Sequence, residues 1–393
     1  MADRQFPVRP NLEQLKHQAK DLLRAIRRDN PSAKLADAQL ALARSYGLPS
    51  WPRLVLACRM TDAIWRDDAD TVRELVVKHP RLLHENARGV ESNWGPPMSY
   101  AANLGRDRII AMLRGLGATD LQHAFDRACL QGRIDTARQL YAMGARLEPG
   151  LVMGPTETLN SQGLQFLIDL GAEIGDLSPV AQVLQTYSRN PQGKHRCLEI
   201  FAEHGIDLPD TAPMAVHRGR IDLLEEHLRR DPGLLSRTFS HEEIYPPELG
   251  CRADPSLALH GTPLAGTALL HLCVDNDEIE IARWLIAHGS DVNVKAAIDA
   301  EGFGGHTALF GCVVSQPFRV GLRQDDGFAR LLLDHGAEPN PRASLRKRLR
   351  FVEDETMHEY RDVTPLAWGE RFHDRAWVNE AAMRLIAERA LLG

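Results

Sequence analysis

The chain has 393 residues, of which 44% are hydrophobic and 25% charged, with 47 Lys and Arg against 53 Asp and Glu. That balance excludes a disordered chain and leaves no global basic field to attract nucleic acid. Cys58, Cys129, Cys197, Cys251, Cys273 and Cys312 contain no C-x-x-C pair. The spacing suits reduced thiols in a cytoplasmic protein rather than a disulfide framework or a zinc site. No run approaches ~18 apolar residues, and the first ten residues lack the apolar core of a secretory signal, so neither a membrane span nor export is expected.

In chain order, Asn11 is placed to cap a helix whose apolar residues Leu12, Leu15, Ala19, Leu22, Leu23 and Ile26 recur at three- and four-residue steps. Asn30-Pro31-Ser32 breaks it. A second helix turns Leu35, Ala36, Leu40 and Ala43 inward and ends near Gly47, and Ser50 with Pro52 opens a third. Residues 1–58 are expected to form a helical cap, because a repeat array needs a polar-backed end. Residues 59–393 then read as about nine degenerate helix pairs. Six of the second helices end in one phrase: Gly117-Ala118-Thr119, Gly144-Ala145-Arg146, Gly171-Ala172-Glu173, Gly205-Ile206-Asp207, Gly289-Ser290-Asp291 and Gly336-Ala337-Glu338. A glycine at the end of each helix predicts a left-handed C-cap, and recurrence at this scale predicts a repeat solenoid. The aliphatic stripes on these helices, such as Ile109, Ile110 and Leu113, are expected to form core between repeats.

These residues resemble the ankyrin repeat. The copies that carry the likeness are His271-Leu272-Cys273 with Ala287-His288-Gly289-Ser290-Asp291-Val292-Asn293, and Leu333-Asp334-His335-Gly336-Ala337-Glu338-Pro339-Asn340. Gly305-His306-Thr307-Ala308-Leu309-Phe310 and Val363-Thr364-Pro365-Leu366-Ala367-Trp368 look like two further first-helix openings. That opening is missing at 147–210. The stretch from Leu15 to Leu54 also looks like the helical leader of some bacterial ankyrin-repeat proteins. The resemblance implies an all-α repeat solenoid with an N-terminal helical cap and short β-hairpin fingers. It also implies a protein that binds other proteins, with no cofactor and no family catalytic residues to carry over.

Three insertions break the period, at 236–263, 294–326 and 341–362. Insertions in repeat arrays map to one face, often the binding face, so all three are expected to overhang one C-terminal groove. A partner protein or peptide there would be gripped by Tyr245, Phe303, Phe318, Tyr360, Trp368 and Trp377 as aromatic anchors, with Arg323 and Arg361 as polar ones. Replacing Tyr360 or Trp368 by Ala should then weaken a partner by more than ~1 kcal/mol and leave the fold intact. The alternative is a metal-dependent or acid/base enzyme, or a small-molecule site, built on His241, His271, His306, His358 and His373, since imidazoles and carboxylates are what such sites require. No H-E-x-x-H, G-x-S-x-G, G-x-G-x-x-G or P-loop pattern is present. The basic run from Arg346 to Arg350 reads as a solvated helix face.

Overall fold

The computed structural model describes residues 4–255, 259–352 and 354–391. The chain divides into two compact units, residues 1–154 with 166–172, and residues 155–165 with 173–393.

The first unit opens with α1 (Leu12–Asp29), where Asn11 Oδ1 accepts the N–H of Gln14 at 3.0 Å. It continues through α2 (Leu35–Ser45), α3 (Trp51–Trp65) and α4 (Ala69–Lys78). Leu15, Ala19, Leu42, Ala43, Leu48, Leu54, Ala57 and Cys58 close a shared core with Phe6 and Tyr46. Helix α3 runs through residue 58, so the expected boundary between cap and array falls inside a helix. The apolar face that begins at Leu54 continues through Ala63 and Ile64 without a break. Two helix pairs follow, α5 (Pro97–Asn103) with α6 (Asp107–Gly115), and α7 (Leu121–Leu130) with α8 (Ile134–Ala142). The division between units passes through α9 (Met153–Glu157) and α10 (Ser161–Asp169).

The second unit carries α11 (Ser178–Gln185) and α12 (Pro191–Glu203), α13 (Ala212–His217) and α14 (Ile221–Arg230), then the short α15 (His241–Ile244). Next come α16 (Leu269–Asn276) and α17 (Ile279–Ala287), and α18 (Ala308–Val313) and α20 (Gly327–Asp334) with α19 (Gln316–Arg319) between them. A hairpin of β1 (Ala343–Arg348) and β2 (Met357–Val363) leads to α21 (Pro365–Arg371) and α22 (Glu380–Ala390).

All six phrase glycines have positive φ, from 86° at Gly205 to 106° at Gly144. In each, the residue after the glycine donates its N–H to a carbonyl five residues back, as Ala118 does to Leu113 at 3.0 Å and Ser290 to Leu285 at 2.9 Å. This Schellman closure satisfies the last carbonyls of the helix and reverses the chain.

The basic run is a strand, not a helix face. Ala343, Leu345, Lys347 and Leu349 are buried at every second position, which is the period of a strand. Among the described residues this hairpin is the only β-sheet, so the expected set of β fingers reduces to one. All six cysteines are buried and free. No described helix is long and apolar enough to cross a membrane.

Candidate functional site

A cavity of about 390 Å³ opens in the second unit, and all three insertions line it. The first contributes Asp254, Pro255, His260 and Pro263. The second contributes Ala297, Asp299, Phe303, Gly304 and His306. The third contributes Ser344 to Arg348 and Met357. The second and third insertions are seamed by backbone bonds, Gly304 N–H to Ser344 O at 2.7 Å and Ser344 N–H to Gly304 O at 3.3 Å. A Cβ at residue 304 would lie 2.0 Å from Ala297 O, so only glycine lets the loop reach the strand.

The outer side of that seam is held by charge on an aromatic ring. Arg346 and Arg361 stand over Phe303 at 4.8 and 4.3 Å from its centroid. Arg346 pairs with Asp299 at 2.8 Å and also with Glu301. Phe303 is 4% exposed and is the keystone of this joint.

Behind the cavity lies a buried polar network. Arg189 uses all five donors: it reaches the carbonyls of Thr186, Ser188, Leu259 and Asp275, and the Asp275 carboxylate at 2.6 Å. Lys347 is buried, and desolvation first, opposed by Asp275, lowers its pKa to about 8. His260 is held well below the usual imidazole range by desolvation, then by Lys347, Arg189, His241 and His306. Deeper still, desolvation lowers Lys194 to about 7. Its Nζ sits against His217 Nδ1 and Asn276 Oδ1.

The residues selected from the sequence separate into three fates. Trp368 is fully buried and donates Nε1–H to Thr262 Oγ1 at 3.2 Å. Tyr360 is 7% exposed, shares a hydrogen bond with His373 Nδ1 at 2.6 Å, and meets Trp368 edge-on at 4.7 Å. Trp377 is buried under α19, and Tyr245 is buried between His217 and His241. These four are core: Trp368 lies on α21, Tyr360 on β2, Tyr245 at the end of α15 and Trp377 in the turn before α22, and each is turned inward. The expectation that Tyr360→Ala or Trp368→Ala leaves the fold intact is therefore corrected. Phe318 is half-buried, and Arg323 clasps Asp277 and lies over Phe328 at 5.4 Å. Neither lines the cavity. Phe303 does, and Arg361 packs on it.

The histidines do not converge. His241 donates to Arg252 O, His271 to His306 O and His306 to Pro263 O, each from Nε2. Desolvation lowers His271 to about 4 and His306 to about 3. His358 stacks on His373 with centroids 3.9 Å apart, and His358 pairs with Asp354. Among the described residues no group of three His, Cys, Asp or Glu is placed to hold a metal ion. Sequence reasoning missed Leu345, Lys347 and Met357. The signal for Leu345 and Lys347 was the two-residue alternation from Ala343 to Leu349, hidden beneath the charge of the run.

Three comparisons bear on this geometry. A family model described as "Ankyrin repeat" matches residues 266–297, which hold α16 and α17. No curated protein matches. Among solved structures, the human ASB11 ankyrin repeat domain is similar at 13% identity, covering 75% of this chain and 97% of that one, with a TM-score of 0.28.

Proposed function

We propose that this ankyrin-repeat protein is an interaction module that grips a segment of a partner protein in the cavity where its three insertions meet. Ankyrin repeats serve in general as protein-binding scaffolds. The observation that carries the reading is the convergence of three insertions, far apart in sequence, on one cleft. Loops that merely pad neighbouring repeats have no reason to share a wall. The cleft lies at the small end of ligand pockets and pairs apolar surface from Pro263, Leu264 and Met357 with a few cations.

The test uses affinity capture from lysate of the source cell, with the whole chain and a Met357→Asp variant as baits. Met357 is 46% exposed, so the substitution leaves the core alone. A protein retained by the wild type and lost from a folded variant supports the cleft. Equal retention moves the site elsewhere, and an empty capture removes the partner reading.

A further inference from the structure

The cleft has a property that the repeats alone do not supply: one wall is a strand edge. β1 pairs with β2 along one side, with Leu345 opposite Tyr360 and Arg348 opposite Met357. On the other side Ser344 exchanges both of its backbone bonds with Gly304. The N–H and C=O of one antiparallel strand residue point to the same side, and the side alternates along the strand. Leu345 and Lys347 therefore face β2, while Arg346 and Arg348 face the way Ser344 does. Beyond Gly304 the loop turns back on itself through the Asp299 N–H to Phe303 O bond, so it does not continue along β1. Among the described residues, the backbone groups of Arg346 and Arg348 find no partner on that edge. Ser344, Arg346, Lys347 and Arg348 all line the cavity, so the open edge gives onto it.

Charge adds a second constraint. Arg348 spends its Nε–H on the carbonyl of Glu355 at 2.8 Å and forms no ion pair among the described residues. The acids described in the cavity lining are Asp254 and Asp299, and Asp299 is already paired with Arg346. The chain as a whole carries a formal charge of −6, so this cationic wall is local.

We propose that the occupant of the cleft is an extended acidic segment of a partner protein, which adds to the free edge of β1 as a further strand. This rests on the interaction reading above and narrows it. Main-chain bonds to Arg346 and Arg348 supply affinity, as in other strand additions. Alternate side chains of the segment fall on opposite faces. Acidic ones meet Arg348 on the outer face, and apolar ones meet Leu345, Pro263 and Leu264 within. Exposed edges invite pairing, and the guanidinium of Arg348 disfavours basic strands while admitting acidic ones.

The experiment is a display selection of random peptides of roughly ten residues, a length that spans the edge, on the full chain and on two variants. Arg348→Pro removes an N–H from the free edge and keeps the ladder with β2. Arg348→Glu keeps that N–H and reverses the charge. The wild type should enrich peptides with acids at alternate positions. Arg348→Pro should weaken them by about tenfold or more, a loss of about 1.4 kcal/mol, and Arg348→Glu should enrich basic residues instead. Enriched peptides that bind all three proteins equally overturn the edge and leave the module reading standing. No enrichment at all removes both. Sedimentation that shows a dimer dissolved by Arg348→Pro would give the edge to a second copy of this chain and overturn the acidic segment.

Discussion

Lys194 places its Nζ 2.7 Å from Nδ1 of His217, and both side chains are buried. Because His217 donates Nε2–H to Ile244 O, its Nδ1 can only accept. The amine donates to that nitrogen and to Asn276 Oδ1, and a neutral amine satisfies both bonds without a buried charge. Arg189, Glu278, Asp275 and Cys251 make up the remaining electrostatic surroundings.

Stability should therefore climb with alkali. The folded pKa of Lys194 is about 7 and that of an unfolded lysine about 10.4, so between these values the unfolded chain binds more protons. Stability rises with pH through that window and is flat with respect to this group below pH 7. Urea unfolding at pH 7 and 9 should show the wild type gaining about 2 kcal/mol relative to Lys194→Met. An unchanged gap would mean the lysine stays charged in the fold.

The neutral histidines act in the acid range. His271 and His306 titrate near 4 and 3 in the fold, and His217 and His260 lie well below the usual range, all chiefly through desolvation. Their contribution is complete above the unfolded imidazole pKa of about 6.5 and is lost as pH falls below it. Unfolding midpoints should drop between about pH 6.5 and 4. His271→Gln should flatten that slope by about one proton's worth.

Arg189→Met should destabilise the second unit by about 3–5 kcal/mol, since it strands the Asp275 carboxylate and four carbonyls. Arg189→Lys should restore only part, because an ammonium lacks the planar fork that reaches both the 186–188 turn and Leu259. Denaturant midpoints of the three proteins decide it. Equal stability of Lys and Arg would show that charge, not geometry, holds the joint.

Trp368→Ala should cost about 3–5 kcal/mol, the usual range for an emptied aromatic core position. Calorimetry should show the loss in the isolated protein with no partner present. Any binding defect in that variant would then report unfolding. Phe303→Leu, which removes the ring beneath two guanidiniums, should cost about 1–2 kcal/mol and loosen the seam.

The repeats were legible because each rests on a local signal. A glycine at C′ has one physical use, and six of them in register with amphipathic helices predict the pairs directly. The 266–297 repeat is the clearest, since its opening and ending both survive. The candidate site was harder to read. Tyr360 and Trp368 look like anchors in a list of aromatics, and only the stacking of α21 on α18 turns them inward. The strand at 343–348 was masked because Arg346, Lys347 and Arg348 make a polar run whose alternation shows only in what each side buries. Lys347 is the sharpest instance: only the alternation of Ala343, Leu345 and Leu349 around it marks this lysine between two arginines as the buried one.

The burial of all six cysteines has a practical consequence. Desolvation pushes the thiols of Cys58, Cys129, Cys197 and Cys251 up to about 12, and raises those of Cys273 and Cys312 as well. A thiol kept protonated is a poor nucleophile at neutral pH, so the native protein should resist alkylating reagents. Each labelled cysteine then records that its surroundings have opened. Cys58 and Cys129 belong to one compact unit and the other four to its neighbour. The chain thus carries built-in clocks for two bodies, and the order in which they are labelled tells which one lets go first.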